Sequence, residues 1–459
     1  SPRPHAGSDA YPGDVFRHAR TLEAMRTQIG EIMRTTRRDF IKTSAGALGA
    51  GIVIPAFAKQ ANGVTVVESL RHELVAEDRI LVVVELGGGN DPLNTIVPLA
   101  KYDTYASFRS RLAIPRNQIL ALNGSTTMGL TPHLLAIKSI ADAGKLAIVQ
   151  GVHYPNPNLS HDGSRNIYRI GDPQPSVTAQ SGWLGRHSLL FGSQTNPLDT
   201  VGIGGVNTTL YAPGAKISGI GADNQGNASG YSFNSDPRFN GDRNNQLTIA
   251  RWVNADVSPL PYGELSESVW LDALNSSDSV AQAVAGYSSG VSYPTTQFAG
   301  GLKLIAKMAS STAPKLGTRV FYVSQGGYDT HANQDKDLPN LHKILGEGLK
   351  AFYEDLTAKG LADKTMILIW SEFGRRVADN ASNGTDHGTA NNIYFIGGKV
   401  KGGFYGSDPN LTDLLQGNLK HQIDFRDVYS TVIQGWLGNS AGEAAQVLGG
   451  TFNNLGIFI

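Results

Sequence analysis

The sequence of 459 residues contains no cysteine. This absence excludes disulfide bonds, thiolate metal sites and cysteine nucleophiles. It does not identify the cellular compartment, because many exported bacterial proteins also lack disulfides.

Charge is also scarce, since charged residues make up 17% of the chain and the 39 basic residues balance the 39 acidic ones. No dense basic stripe interleaved with aromatic residues is present, so we expect no nucleic-acid partner. Hydrophobic residues make up 40% of the chain, which is ample for a packed core. Glycine is abundant at 54 residues, which predicts long loops.

The chain also lacks an apolar run long enough to cross a membrane. The candidate nearest to one is "TTRRDFIKTSAGALGAGIVIPAFAK", in which Arg37 and Arg38 precede an apolar stretch that ends at Ala58. Its apolar part is shorter than the ~20 residues of a spanning helix and is rich in small residues. Paired arginines, a weak apolar region and an A-x-A end predict a twin-arginine export signal over residues 33–58.

The export signal sets the expected domain organisation. Residues 1–32 are interpreted as extra upstream sequence, and residues 59–459 as a single mature domain without a membrane span. The predicted location is periplasmic or secreted, with the twin-arginine export machinery as a partner.

Five continuous apolar runs predict buried strands, because a run without alternation fits a strand covered on both faces. These runs are "RILVVVEL" from Arg79, "KLAIVQGV" from Lys145, "TRVFYVS" from Thr318, "KTMILIW" from Lys364 and "NIYFIGG" from Asn392.

Helical segments lie between and after these runs. The segment "LPNLHKILGEGLKAFYEDL" carries leucine and phenylalanine at three- and four-residue spacing, which predicts a helix and hence a parallel strand pair around it. A second helix is predicted to begin at Asp424 and to stop at Gly438. We therefore predict an α/β fold with a mostly parallel, doubly wound sheet, and a Gly/Asn-rich surface insertion over about 202–245.

Two polar clusters follow the first two predicted strands. "ELGGGNDPLNT" places Glu85, Asn90 and Asp91 around three glycines, whose backbone N–H groups could hold an anion. The alternative is a tight turn in which Asp91 caps a helix. "LSHDGSR" places Ser160 beside His161, and the alternative to a catalytic role is a helix that begins at Ser160.

Two more clusters follow the later strands. "GGYDTHANQ" presents Asp329 and His331, a carboxylate and an imidazole of the kind that divalent metals bind. "SEFGRRVADNASNGTDHGTAN" adds Glu372, Arg375 and His387, although Glu372 and Arg375 could simply form an ion pair. Because ligands bind beyond the carboxyl ends of strands in such sheets, we expect one common site.

These blocks, together with "ELGGGNDPLNTIVP", "LSHDGS" and "GGFYG", resemble the signature segments of the domain of unknown function 1501 family from Arg79 onwards. That family is similar to the alkaline phosphatase superfamily of phosphatases, sulfatases and phosphodiester hydrolases. The resemblance implies an alkaline-phosphatase-like fold and a divalent metal ion such as zinc or calcium. The implied substrate is a small anionic ester or a sulfated or phosphorylated glycan.

The resemblance also implies roles for individual residues. It implies Ser160 or His161 as the catalytic nucleophile and five metal ligands: Asp91 (or Glu85), Asp329, His331, Glu372 and His387. The hydrolase hypothesis adds Arg375 and Asn90 as substrate-binding residues. The chain departs from the sulfatase pattern at Phe373, where the superfamily has a coordinating histidine. This departure favours a mononuclear or degenerate site over a two-metal site.

Two hypotheses follow from the sequence. The first is an exported metal-dependent hydrolase of phosphate or sulfate esters. The second is a non-catalytic exported protein that keeps the fold and binds a glycan or a protein partner. Convergence of Asp329, His331, Glu372 and His387 on one centre would favour the enzyme.

Overall fold

A computed structural model of the chain describes residues 79–175, 181–229 and 275–459. The predicted export signal and residues 1–58 as a whole lie outside these ranges, as do residues 230–245 of the predicted insertion. Within the described ranges, no helix is both long and apolar enough to cross a membrane.

The described strands form one large sheet and one small sheet. Their bounds are β1 Ile80–Leu86, β2 Ile96–Pro98, β3 Leu120–Ala121, β4 Met128–Leu130, β5 Leu146–His153, β6 Thr200–Ile203, β7 Ile217–Ala222, β8 Ala228–Ser229, β9 Val320–Gln325, β10 Thr365–Trp370, β11 Asn391–Gly397, β12 Gly403–Tyr405 and β13 Ile423–Asp424.

The large sheet has the strand order β12-β5-β11-β10-β1-β9-β6-β7-β8, with β13 also paired to β5. The central strand β1 pairs in parallel with β10 on one side and with β9 on the other. Strand β11 is antiparallel to both of its neighbours, β10 and β5. The small sheet has the order β2-β4-β3.

Helices connect most of the strands. Their bounds are α1 Pro92–Thr95, α2 Tyr102–Phe108, α3 Lys138–Asp142, α4 His161–Ile170, α5 Trp183–Phe191, α6 Gln297–Ala309, α7 Gln334–Ala358, α8 Phe425–Thr431 and α9 Ala441–Leu448. Single turns of 3₁₀-helix cover Leu99–Lys101, Arg116–Gln118, Pro132–Ile137 and Ala362–Lys364, and a π-helical turn over Val432–Trp436 extends α8. Residues 275–285 are also helical.

The sheet is covered on both faces, because successive side chains of a strand point to opposite sides. Val82 and Val84 of β1 pack in one core with α6 and α7, whereas Leu81 and Val83 pack in a second core with α4, α5, α8 and α9. Each buried leucine or valine contributes about 1.5–3 kcal/mol to this packing. The two cores explain why β1 has an unbroken apolar sequence.

The predicted α/β fold class with a mostly parallel sheet is confirmed. The five apolar runs became β1, β5, β9, β10 and β11. The predicted helix between β9 and β10 is α7, and the helix capped by Asp424 is α8, where the Asp424 side chain accepts from the Arg426 N–H.

Two details differ from the sequence-based predictions. Strands β9 and β10 have the same direction but are not neighbours, because β1 lies between them. Within residues 202–229 of the predicted insertion, Ile217–Ala222 and Ala228–Ser229 form β7 and β8 at the edge of the sheet. Glycine is required at one position there, because a Cβ on Gly202 would come within 2.1 Å of the Gly205 carbonyl oxygen.

We predict that His342 of α7 makes the fold sensitive to acid. Its ring is 1% exposed and contacts Thr95 and Asn90 through Nε2. Burial, with a smaller effect from His133, lowers its pKa from 6.5 to about 3. Below about pH 6.5, His342 is protonated in the unfolded chain but stays neutral in the folded chain. The free energy of unfolding therefore decreases as the pH falls towards 3.

The measurement is the free energy of unfolding in urea between pH 7 and pH 4. His342→Gln should reduce the loss by up to about 1.4 kcal/mol per pH unit. Exposed His421→Gln is the control and should change the slope little. An unchanged slope in His342→Gln would refute the prediction.

Candidate metal centre

Loops from four elements meet at one edge of the large sheet. Because β9 and β10 flank β1 in parallel, the segments that follow these three strands leave from the same edge. Strand β11 runs in the opposite direction to β10, so the residues that precede it lie at that edge too. A backbone bridge between Arg375 and His387 joins the segment after β10 to the segment before β11.

A cluster of histidines surrounds the carboxylate of Asp329. The Oδ1 atom of Asp329 lies 3.1 Å from His387 Nε2 and 3.2 Å from His331 Nε2. Its Oδ2 atom lies 3.2 Å from Nε2 of His161, the first residue of α4. The Nε2 atoms of His331 and His387 are 2.9 Å apart. Ligand atoms of His161, Asp329 and His387 all lie within 4.8 Å of one another, which is close enough to share an ion.

In two of the histidines the tautomer is set by the hydrogen bond at Nδ1. His387 Nδ1 lies 2.7 Å from the Leu159 carbonyl oxygen, which can only accept, so Nδ1 carries the proton. His161 Nδ1 lies 3.0 Å from Glu372 Oε1 and donates to that carboxylate. In the neutral rings both Nε2 atoms therefore present lone pairs to the cluster, as metal-binding histidines do.

The spacing of these atoms fits a metal ion. Ligand atoms at ~2.0–2.1 Å from a tetrahedral zinc ion are about 3.3 Å apart, close to the separations of 2.9 to 3.2 Å found here. His161 Nε2 is buried without a hydrogen-bond partner, although it faces the Asp329 carboxylate. A cation between these lone pairs would satisfy all of them.

The protonation states at neutral pH also suit a metal. Burial raises the pKa of Asp329, but the hydrogen bond and charge of Arg375 and the neighbouring imidazole of His387 outweigh burial and lower it to about 2. Burial lowers the pKa of His387. Near pH 7 the cluster therefore offers an ionised carboxylate and a neutral imidazole, the forms that bind metals.

Glu372, predicted as a metal ligand, lies behind His161. Its side chain is fully buried and accepts from the Gly88 N–H at 2.9 Å and from Arg165 at 3.0 Å. Burial raises its pKa, but the hydrogen bonds from His161 and Arg165 lower it overall. These contacts make Glu372 the carboxylate that orients His161.

Arg375, predicted to bind the anionic substrate, points into the protein. It is 1% exposed and donates to the carbonyl oxygens of Gly88, Gly89, Tyr328 and Thr385. Its remaining strong contact is with Asp329 Oδ1 at 2.9 Å. The guanidinium therefore binds loop carbonyl oxygens and the candidate ligand Asp329, and it does not face solvent as a substrate-binding group would.

Asp91, predicted as a metal ligand, has a structural role in the described contacts. It caps α1 by accepting from the Leu93 and Asn94 N–H groups. It also forms a buried ion pair with Arg109 and accepts from Gln334 Nε2 at 2.6 Å. With these donors on both oxygens, it has no lone pair to spare for an ion.

Asn90 also faces the interior. It is 1% exposed, and its side chain contacts Thr95 and His342. The predicted anion nest around it is filled by the protein itself, because the Gly88 N–H binds Glu372 and the Gly89 and Asn90 N–H groups bind Ser371 Oγ. Glu85, the alternative metal ligand, is paired with Arg165 and Arg169.

Ser160 remains beside the cluster. It is exposed and occupies the N-cap of α4, but its side chain does not cap the helix. Its hydroxyl makes no hydrogen bond with the described part of the chain, so it is free to react. His161, the other predicted catalytic residue, is held by Glu372 through Nδ1, and its Nε2 faces the Asp329 carboxylate without a hydrogen bond.

Phe373 forms a wall of the cluster. It is fully buried, and its ring centroid lies 4.5 Å from that of His387 and 5.1 Å from that of His161. An apolar ring packed against two imidazoles restricts the planes that they can adopt. No coordinating atom is available at this position.

Two features were not predicted from the sequence. One is that His161 is a candidate metal ligand, and the other is that Asp386 contacts His331. Asp386 Oδ1 lies 3.5 Å from His331 Nδ1, and Asn380 Nδ2 donates to the same oxygen at 3.2 Å. The signal was the pairing of each histidine with a carboxylate elsewhere in the chain, which spacing along the sequence does not show.

Comparison with known proteins supports the family resemblance. A family model described as "Protein of unknown function (DUF1501)" matches residues 267–452, so the predicted resemblance to this family is confirmed over that segment. No curated protein matches the chain.

Solved structures with some similarity include Ps i-CgsB, at 12% identity and a TM-score of 0.37 over 81% of this chain and 75% of that chain. The PsFucS1 sulfatase from Pseudoalteromonas sp. has 12% identity and a TM-score of 0.35 over 84% and 74%. The lipoteichoic acid synthase LtaP from Listeria monocytogenes has 12% identity and a TM-score of 0.31 over 82% and 75%. These values are too low to transfer an activity or a substrate.

We predict that Asp91→Asn destabilises the protein and leaves metal binding intact. The substitution leaves the buried Arg109 without its charge partner, which typically costs about 3–5 kcal/mol. The measurements are the free energy of unfolding and the metal content of the folded protein by mass spectrometry. Loss of metal with unchanged stability would show that Asp91 is a ligand after all.

We predict that Glu372→Gln weakens zinc binding about 10–100-fold, because the neutral amide orients His161 less firmly than a carboxylate. The measurement is zinc affinity by competition with a chromophoric chelator. Exposed Glu347→Gln on α7 is the matched control. Unchanged affinity would contradict the orienting role, and complete loss of binding would indicate direct coordination.

Proposed function

We propose that the chain is an exported metal-dependent hydrolase of phosphate or sulfate esters. The observation that carries the proposal is the convergence of His161, His331 and His387 on the carboxylate of Asp329 at separations of 3.1 to 3.2 Å. The resemblance to a family similar to the alkaline phosphatase superfamily supports the reaction class.

The donor set favours one ion of the zinc type. Calcium and magnesium prefer six or more oxygen ligands, whereas zinc binds imidazole nitrogen and carboxylate oxygen in a four-coordinate site. Asp329, His161 and His387 have ligand atoms within 4.8 Å of one another and match three protein ligands of a zinc site, and His331, with Nε2 3.2 Å from Asp329 Oδ1, is the proposed fourth ligand. Phe373 lies against two of the imidazoles and favours a mononuclear centre.

In the proposed reaction, the metal ion and the side chains of the protein have different roles. A bound divalent ion polarises an ester oxygen and stabilises the charge that develops during displacement. Asp329 and the three histidines would hold it, and Arg375 and Glu372 would keep two of these ligands in place. The free Ser160 hydroxyl, next to His161 at the positive end of α4, is the proposed nucleophile.

The proposed location is the periplasm or the exterior of the cell, reached through the twin-arginine machinery. The support is the sequence of residues 33–58 alone. The proposed substrate is a small anionic ester or a sulfated or phosphorylated glycan, because a single cationic centre attracts an anionic group.

One observation favours the second hypothesis, a binding protein without activity. The two predicted substrate-binding side chains, Arg375 and Asn90, are both buried and saturated with internal hydrogen bonds. A chain that binds a metal ion and a partner without turnover would have this arrangement.

The test uses mature protein comprising residues 59–459. Metal content is measured by mass spectrometry, and hydrolysis is followed with p-nitrophenyl phosphate, bis-p-nitrophenyl phosphate and p-nitrophenyl sulfate. We expect one zinc-type ion per chain and turnover of at least one ester. Asp329→Asn should lower kcat/KM on the order of a hundredfold or more because it removes the charged ligand.

Exposed Asp337→Asn on α7 is the control and should keep full activity. Bound metal without turnover of any ester would favour the binding protein. A folded chain with neither metal nor turnover would overturn the metal-dependent hydrolase.

A further inference from the structure

A cleft of about 180 Å³ lies beside the metal centre. Part of its lining is apolar and is called the apolar wall here, and the part that carries amide and hydroxyl groups is called the polar wall. The apolar wall consists of Leu93, Ile96, Met128 and Leu419, and the polar wall of Gln150, Asn392, Ser407, Asn410 and Gln422.

The cleft is close to the cluster because the two share a segment of chain. Ala390 lines the cleft and lies three residues after His387. Three residues span at most about 11 Å, so this part of the wall is no further than that from the proposed metal ligand. A substrate whose anionic group reaches the histidines can therefore extend into the cleft.

The charge of the cleft excludes a second anionic group as its occupant. Among its lining residues the charged ones are Asp413 and Lys420, and these form an ion pair with each other. No unpaired cation remains among the lining residues to hold an anion. The amides and hydroxyls instead suit an uncharged group with several hydrogen-bonding atoms.

One wall residue has an unmet hydrogen-bonding need. Gln150 is 2% exposed, and its Nε2 donates to Asp408 Oδ1 at 3.3 Å. This contact fixes the amide orientation, because an amide oxygen would be repelled by the carboxylate. The Oε1 atom is left without a hydrogen-bond partner. A hydroxyl donor from a ligand would satisfy it.

The shape limits the occupant to one small unit. Drug-sized ligands use pockets of ~300–1,000 Å³, and this cleft is smaller. Its apolar wall suits the C–H face of a saturated ring, and its polar wall suits the ring hydroxyls. Ser407 is held in position on the polar wall because Gln422 bonds both its N–H and its carbonyl oxygen.

We infer that this cleft binds an uncharged polyhydroxylated ring, such as one sugar or cyclitol unit, as the alcohol part of the ester whose anionic group is held at the metal centre. The inference rests on the proposed function for the ester chemistry, but binding of the neutral ring requires neither metal nor turnover.

The test is saturation-transfer NMR on the mature chain in the presence of a chelator. The probes are methyl β-D-galactopyranoside, methyl α-D-glucopyranoside and myo-inositol, none of which is an ester. We expect transfer to at least one probe, also in the Asp329→Asn variant. Ser407→Trp places an indole in the cleft and should reduce the signal roughly fivefold or more.

Two further variants sharpen the result. Exposed Ser288→Trp, which does not line the cleft, should leave the signal unchanged. Gln150→Met keeps the size of the side chain and removes the unpartnered acceptor, so it should weaken binding without lowering the melting temperature.

Transfer to no probe, or equal transfer in the Ser407→Trp variant, would overturn the inference. Probe binding without ester turnover would leave the cleft in place and refute the proposed hydrolase. Ester turnover without probe binding would support the proposed hydrolase and refute ring binding in the cleft.

Discussion

The candidate site depends on one buried guanidinium. Arg375 donates to Gly88 and Gly89 after β1, to Tyr328 after β9 and to Thr385 before β11, and it fixes the carboxylate of Asp329. Without it the carbonyl oxygens of Gly88, Gly89 and Thr385 would lose this hydrogen bond, and each one left buried and unpaired costs about 1–3 kcal/mol. The interaction therefore stabilises the loops and orients the candidate ligand Asp329 at the same time.

The carboxylates at this edge of the sheet divide into two kinds. Asp91, Glu85 and Glu372 are buried and paired with arginines. These pairs stabilise the loops, and Glu372 also orients His161. Asp329 is also paired with an arginine, Arg375, but its carboxylate is about half exposed and is surrounded by histidines. Burial costs a carboxylate less when an arginine neutralises it, whereas an exposed one can exchange its partners for an ion. Solvent access, more than residue type, decides which carboxylate can bind metal.

The sequence was sufficient to predict the sheet because unbroken apolar runs have few alternatives to a doubly covered strand. It was also sufficient to predict that Asp329, His331 and His387 lie close together, since each comes from a segment at the same edge of the sheet. It failed for Asp91 and Arg375, whose roles depend on side-chain direction. The partner of Asp91 is Arg109, and no local pattern shows that this arginine turns inwards. His161 was assigned to catalysis because its neighbour is a serine, although its partner Glu372 is 211 residues away.

The direction of β11 has a further consequence. His387 precedes an antiparallel strand whose register with β10 pairs Ile369 with Tyr394. A slip of one residue would turn every side chain of that strand to the other face and draw the preceding segment out of place. The bridge between Arg375 and His387 then could not form. An ion at the proposed centre would accordingly bind only after the sheet is complete, and its binding would report that the chain has paired its strands correctly.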